Sequence, residues 1–194
     1  LINQDINKAI YYFTLSANQN HSDSQYWLGI INFEGKYIQR NINLAIQYFT
    51  MAANQNHLNA QYELGVIYFE GKYISMDINR SIRYLTLAAN QNHVWAQTNL
   101  GIIYLDGKYV HQNVNKAIYY LTNSANQNDS NAQHILALIY YEGIHTPKDI
   151  NKAIEYFTIA ANQNNPISLF NLGIIYYEGK YIKRDINKAI NFFT

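Results

Sequence analysis

A strict repeat length constrains this chain more than any other feature. The phrase Ala-Asn-Gln-Asn begins at Ala17, Ala53, Ala89, Ala125 and Ala161. Asp5, Asn41, Asp77, Asn113, Asp149 and Asp185 each head a near-copy of Ile-Asn-Lys-Ala-Ile. Leu28-Gly29, Leu64-Gly65, Leu100-Gly101, Leu136-Ala137 and Leu172-Gly173 form a third series. All three advance by 36 residues without an insertion. A period of this length marks a stack of supersecondary units, none of which can bury its apolar face alone.

The pattern inside each period predicts two helices. In the third unit, helix A runs from about Val94 to Asp106 and helix B from about Val114 to Gln127. The Asp or Asn heading helix B supplies a side-chain oxygen for an orphan backbone N–H. Gly35, Gly71, Gly107, Gly143 and Gly179 stop helix A in a left-handed conformation. Asn20, Asn56, Asn92, Asn128 and Asn164 close helix B, and positive φ is expected at all five, since Asn follows Gly in tolerance for it. The expectation is an all-α, right-handed α-α solenoid running as one array over residues 1–194. Full repeats span 22–57, 58–93, 94–129 and 130–165, with half-repeats at 1–21 and 166–194. Leu1 reads as an internal cut and neither end carries a polar capping helix. Uncapped ends of this kind expose apolar stacking surface, so end-to-end association is an expectation.

Composition narrows the function classes. The chain is 48% hydrophobic, 14% charged and has a net charge of +1, with no basic block of the kind that grips nucleic acid. It lacks cysteine, which removes disulfides, thiolate metal sites and a thiol nucleophile. No apolar run reaches the ~18 residues of a membrane span. A cytoplasmic setting fits, with the ER lumen as the alternative. No catalytic or phosphate-binding motif is present, so no enzyme activity and no cofactor or metal is expected.

Ala60, Leu64, Gly65, Tyr68, Gly71, Ile74, Asp77, Ser81, Tyr84, Ala88, Ala89 and Asn92 together resemble the Sel-1-like repeat family, relatives of the tetratricopeptide repeats. The resemblance covers the whole chain and implies a non-catalytic scaffold or adaptor that binds protein, as in signalling assemblies. It also leaves room for a spacer beside a catalytic domain such as a kinase. RNA binding, the habit of the pentatricopeptide repeats, is the rival. Tyr37, Tyr73, Tyr109 and Tyr181 depart from the family pattern at its second loop Gly, which suggests a different path between helices A and B.

Comparing the repeats with one another gives candidate contact residues. On helix A, Ala60, Leu64, Ile67 and Tyr68 share a side whose columns hardly vary, whereas Asn59, Tyr62, Glu63, Val66, Phe69 and Glu70 share the opposite arc. The resemblance implies that this arc lines a concave groove. Its most variable columns nominate Tyr26, Trp27, Asn59, Tyr62, Glu63, Trp95, Thr98, Asn99, His134, Ile135, Phe170 and Asn171 as partner-binding residues for a peptide or helix. The bland alternative is packing between neighbouring A helices. His21, His57 and His93 are too far apart to share an ion and read as solvated turn residues. The Glu/Asp-Gly-Lys motifs at the end of helix A read as a solvated charged ridge. The stretch from Glu142 to Asp149 breaks that rule, with Pro147 and His145 stiffening and recolouring one loop, and reads as drift; the sequons at Asn20 and Asn128 read as chance matches.

Overall fold

The structure is a computed structural model and describes residues 5–144 and 146–193. His145 lies outside the described residues. Eleven α-helices and no strands occur among the described residues: α1 (Ile6–Asn18), α2 (Ser22–Glu34), α3 (Ile42–Asn54), α4 (Leu58–Glu70), α5 (Ile78–Asn90), α6 (Val94–Asp106), α7 (Val114–Ala125), α8 (Ser130–Glu142), α9 (Ile150–Ala161), α10 (Pro166–Glu178) and α11 (Ile186–Phe193). Even-numbered helices are the A helices and odd-numbered ones the B helices. The chain divides into two compact units, Leu1–Ala96 and Gln97–Thr194, with the boundary inside α6.

Each helix begins and ends for a local reason. Asp5, Asn41, Asp77, Asn113, Asp149 and Asp185 accept the N–H three residues on, for example Arg80 N–H to Asp77 Oδ1 at 2.9 Å. The five glycines ending the A helices have φ between 61° and 67°. The five asparagines after the B helices have φ of 61° or 65°, and among the described residues no other non-glycine has positive φ. The loop tyrosines therefore do without the left-handed conformation. Tyr73 sets its ring against Phe33 at 5.6 Å and 86°, and Tyr181 against Tyr141 at 6.0 Å and 89°.

The least variable side of each A helix faces the core. In the first unit it joins Ala60, Leu64, Ile67 and Tyr68 to Ala45, Phe49, Ala52 and Ala53. In the second, Leu121, Ala125, Ala132, Leu136 and Ile139 form one cluster, and Ala137, Ala153, Phe157, Ala161, Leu172 and Ile175 another. Small residues let the two helices of a hairpin approach. A Cβ on Gly65 would stand 2.7 Å from Leu85 Cγ, closer than carbon atoms tolerate.

A glutamine strut crosses the core beside α2, α4, α6 and α8. Gln25, Gln61 and Gln133 are almost fully buried and donate Nε2 to the carbonyls of Ala17, Ala53 and Ala125 at the end of the preceding B helix. The Oε1 atoms of Gln25, Gln61, Gln97 and Gln133 accept from Gln55, Gln91, Gln127 and Gln163 at 2.7 to 2.8 Å. Those donors are the third letters of the Ala-Asn-Gln-Asn phrases. The phrase thus carries both the left-handed Asn and the strut that locks its helix end onto helix A.

Candidate functional site: the outer arc of the A helices

In the first unit the arc divides into exposed and committed residues. Trp27 (49% exposed), Trp95 (62%) and Asn59 open to solvent, whereas Tyr26, Tyr62 and Glu63 are half-buried. Tyr26 stacks on His57 with ring centroids 4.6 Å apart, and Tyr62 stacks on His93 at 4.3 Å. Both histidines begin the next A helix: His57 Nδ1 accepts Ala60 N–H and His93 Nδ1 accepts Ala96 N–H, each at 3.2 Å. With Nδ1 an acceptor, the neutral ring carries its proton on Nε2. In His57 that nitrogen faces Asp23 Oδ1 at 3.2 Å. His21 Nδ1 likewise accepts Ser24 N–H at 3.3 Å. The solvated-turn reading of these histidines is therefore corrected: they are N-caps, and His57 and His93 are half-buried between repeats.

The electrostatics of this unit are acidic on the arc. Burial pushes the Glu63 carboxyl above its ordinary range, and the nearby charges of Glu34 and Glu70 push it further. Burial also raises the Tyr26 hydroxyl, with Glu63 and Glu34 adding to the effect. Burial lowers the His93 imidazole.

In the second unit the same columns are more deeply committed. Thr98 and His134 are buried. The Thr98 hydroxyl hydrogen-bonds the Asp129 carboxylate, and Ser124 Oγ donates to the same carboxylate oxygen at 3.1 Å. His134 Nδ1 lies 2.9 Å from Ser168 Oγ, and its ring packs 5.6 Å from Phe157. Burial lowers its pKa. Thr98 and His134 thus do not line an open groove; a buried hydroxyl or imidazole needs a partner, and the next hairpin provides it. Phe170 (56% exposed) and Ile167 (57%) open to solvent, and Asn99, Ile135 and Asn171 are half-buried.

The family model described as "Sel1 repeat" matches residues 1–21, 22–57, 58–93, 96–129, 130–165 and 166–194. The chain belongs to the Sel1 repeat family. A protective antigen of uropathogenic Escherichia coli with an SLR fold is 26% identical over 95% of this chain, with a TM-score of 0.91. The chain spans only 39% of the length of that antigen. A Sel1 repeat protein from Oxalobacter formigenes is 27% identical over 99% of this chain and 79% of its own, with a TM-score of 0.84. An immunity protein from Pseudomonas aeruginosa, 15% identical over 97% of this chain and 72% of its own with a TM-score of 0.59, shares the fold alone. None of the curated proteins compared with the chain matches it.

The fold is accordingly the all-α helical-hairpin solenoid of Sel1 repeat proteins, which generally act as protein-interaction scaffolds and are typically non-catalytic. Among the described residues no helix is long and apolar enough to cross a membrane, and no group of His, Asp and Glu could hold a metal ion. Two features of the chain lie outside what a helical wheel shows. The glutamine strut was visible as a column, Gln25/Gln61/Gln97/Gln133, that stays constant beside the apolar stripe. The histidine caps stand in the sequence as polar residues directly before α2, α4 and α6, the ordinary place for a cap.

Proposed function

We propose that this Sel1 array is a non-catalytic scaffold that binds a peptide or helix of another protein across the outer arc of its A helices. The observation that carries the reading is the exposure of Trp27 and Trp95, both on that arc and both in the first unit. Exposed tryptophan is costly to leave in water and is the residue most enriched among interface anchors. Tyr26 and Tyr62 support the reading in a second role: they hold His57 and His93 in place, and the tryptophans lie beside them, Trp27 at 5.7 Å from Tyr26 and Trp95 at 6.0 Å from Tyr62. Asn59 and Glu63 supply polar and acidic rim contacts. In the second unit Phe170, Asn171, Asn99 and Ile135 are the corresponding contacts, while Thr98 and His134 act as positioning residues behind them.

The test is affinity capture from native extract with the wild-type array beside a Trp27→Ala/Trp95→Ala variant of matched helicity. Each truncation should cost about 2 kcal/mol of partner affinity. A protein retained by the wild type and released by the variant is the expected result. Equal retention by both overturns the assignment to this arc.

A further inference from the structure

The second unit contains two neighbouring apolar hollows that share a wall. One, of about 240 Å³, is lined by Leu105, Gln112, Val114, Ile135, Leu138, Ile139, Glu142 and Ile144. The other, of about 220 Å³, is lined by Leu138, Tyr141, Glu142, Phe157, Phe170, Asn171, Ile174 and Ile175. Leu138 and Glu142 belong to both, and Glu142 is the single charged group in either lining.

The break in the loop motif falls at the same place. Lys36, Lys72, Lys108 and Lys180 follow the helix-stop glycine in the other repeats, each with its ammonium about 5 Å from the adjacent Tyr ring. Here the residue is Ile144, 70% exposed on the rim of the first hollow. The substitution removes the cation next to Glu142 and adds apolar surface. Glu142 is exposed and has no ion pair among the described residues. Lys148, the nearest cation in sequence, is engaged with the Tyr181 hydroxyl at 3.2 Å and lies over the Tyr141 and Tyr181 rings.

We infer that this pair of hollows is a docking site for an extended segment of a partner protein that presents two apolar side chains with a Lys or Arg between them. The claim rests on the scaffold reading above and gives it a partner chemistry. The apolar side chains fill the hollows and the cation meets Glu142 across their shared wall. Spacing follows from the fold. The hollows lie between successive A helices, whose axes are ~8–10 Å apart. A polyproline-type segment rises ~3.1 Å per residue with three residues per turn, so its residues i and i+3 face one way and span that distance. The expected motif is therefore apolar-x-Lys/Arg-apolar or apolar-Lys/Arg-x-apolar.

The test is selection of a random peptide library on the whole 194-residue chain, followed by binding of the enriched peptides to Glu142→Lys, Ile144→Lys and Trp27→Ala variants. Ile144→Lys restores the residue that the other repeats carry, and both lysine variants are checked for unchanged helicity and melting. The expected result is enrichment of the basic-apolar motif, binding weakened about tenfold by Glu142→Lys and recovered when the peptide's cation is replaced by Glu. Ile144→Lys should also weaken binding. Enriched peptides without a cation, indifference to Glu142→Lys, or no enrichment overturns the inference. Peptides lost on Trp27→Ala alone overturn it while leaving the scaffold reading in place.

Discussion

Asn92 holds φ at 65°, a conformation that a β-carbon penalises in most residues and that Asn bears through its short polar side chain. Asn92→Gly should leave stability unchanged or raise it, and Asn92→Ala should lower it by about 1 kcal/mol; thermal melts of the pair decide the matter. One residue on, His93 caps α6 through an unprotonated Nδ1 and packs against Tyr62 and Trp95. Burial holds its folded-state pKa below the ordinary value of about 6.5. As pH falls, the unfolded chain takes up the proton first. The stability His93 contributes is therefore whole above about pH 6.5 and is lost as pH drops through the lower folded value. His93→Asn keeps a capping acceptor without a titrating group. Its melting temperature relative to wild type should rise between about pH 7.5 and about pH 5, and a constant difference would refute the cap's role. The positive φ at Asn92 was legible because the chain must reverse there. The cap was legible only as a polar residue before the helix, because His is an uncommon N-cap and beside Asn reads as a solvated turn.

At the scale of the helix, the glutamine strut joins three helix ends through one buried amide. Gln61 satisfies the Ala53 carbonyl and accepts from Gln91, so Gln61→Leu leaves both groups without that partner. The expected cost is about 1–3 kcal/mol, measured by denaturant unfolding; a loss well below that range would mean water replaces the amide. The fifth repeat carries Leu169 at this position, half-buried, and has no strut there. Helix boundaries, stops and the buried stripe could all be read from periodicity, because each depends on residues within one or two turns. The arc could not. Variation from Tyr26 to Tyr62 to Thr98 to His134 looked like a surface adapting to a partner. Much of it matches a changing neighbour instead: Tyr meets a His cap, Thr meets the Asp129 cap, and His134 meets Ser168. A helical wheel places a residue on a face and does not reveal which distant residue covers it.

Across the molecule, the caps of the A helices change chemistry along the chain. His21, His57 and His93 cap α2, α4 and α6, and Asp129 and Asn165 cap α8 and α10. Hydrogen exchange at mildly acidic pH should accelerate at the start of α6, where burial lowers the His93 pKa, with α8 and α10 holding; uniform acceleration would show that this cap does not set a weak point. The pairing between arc and cap has one more consequence. Tyr26 and His57, Tyr62 and His93, and Thr98 and Asp129 each fall inside one repeat, 22–57, 58–93 and 96–129. His134 and Ser168 are divided between two, 130–165 and 166–194. Arrays of this kind lengthen by copying whole blocks of gene. A copied block that carries both its arc residue and the cap it meets can be inserted with that contact intact. Set between His134 and Ser168, a copy of 58–93 would bring Ala60 to the place of Ser168 and leave the buried imidazole without its hydroxyl. Growth of the array by duplication is therefore free where arc and cap travel together and obstructed at the His134/Ser168 junction, where new repeats survive only with a second, compensating mutation.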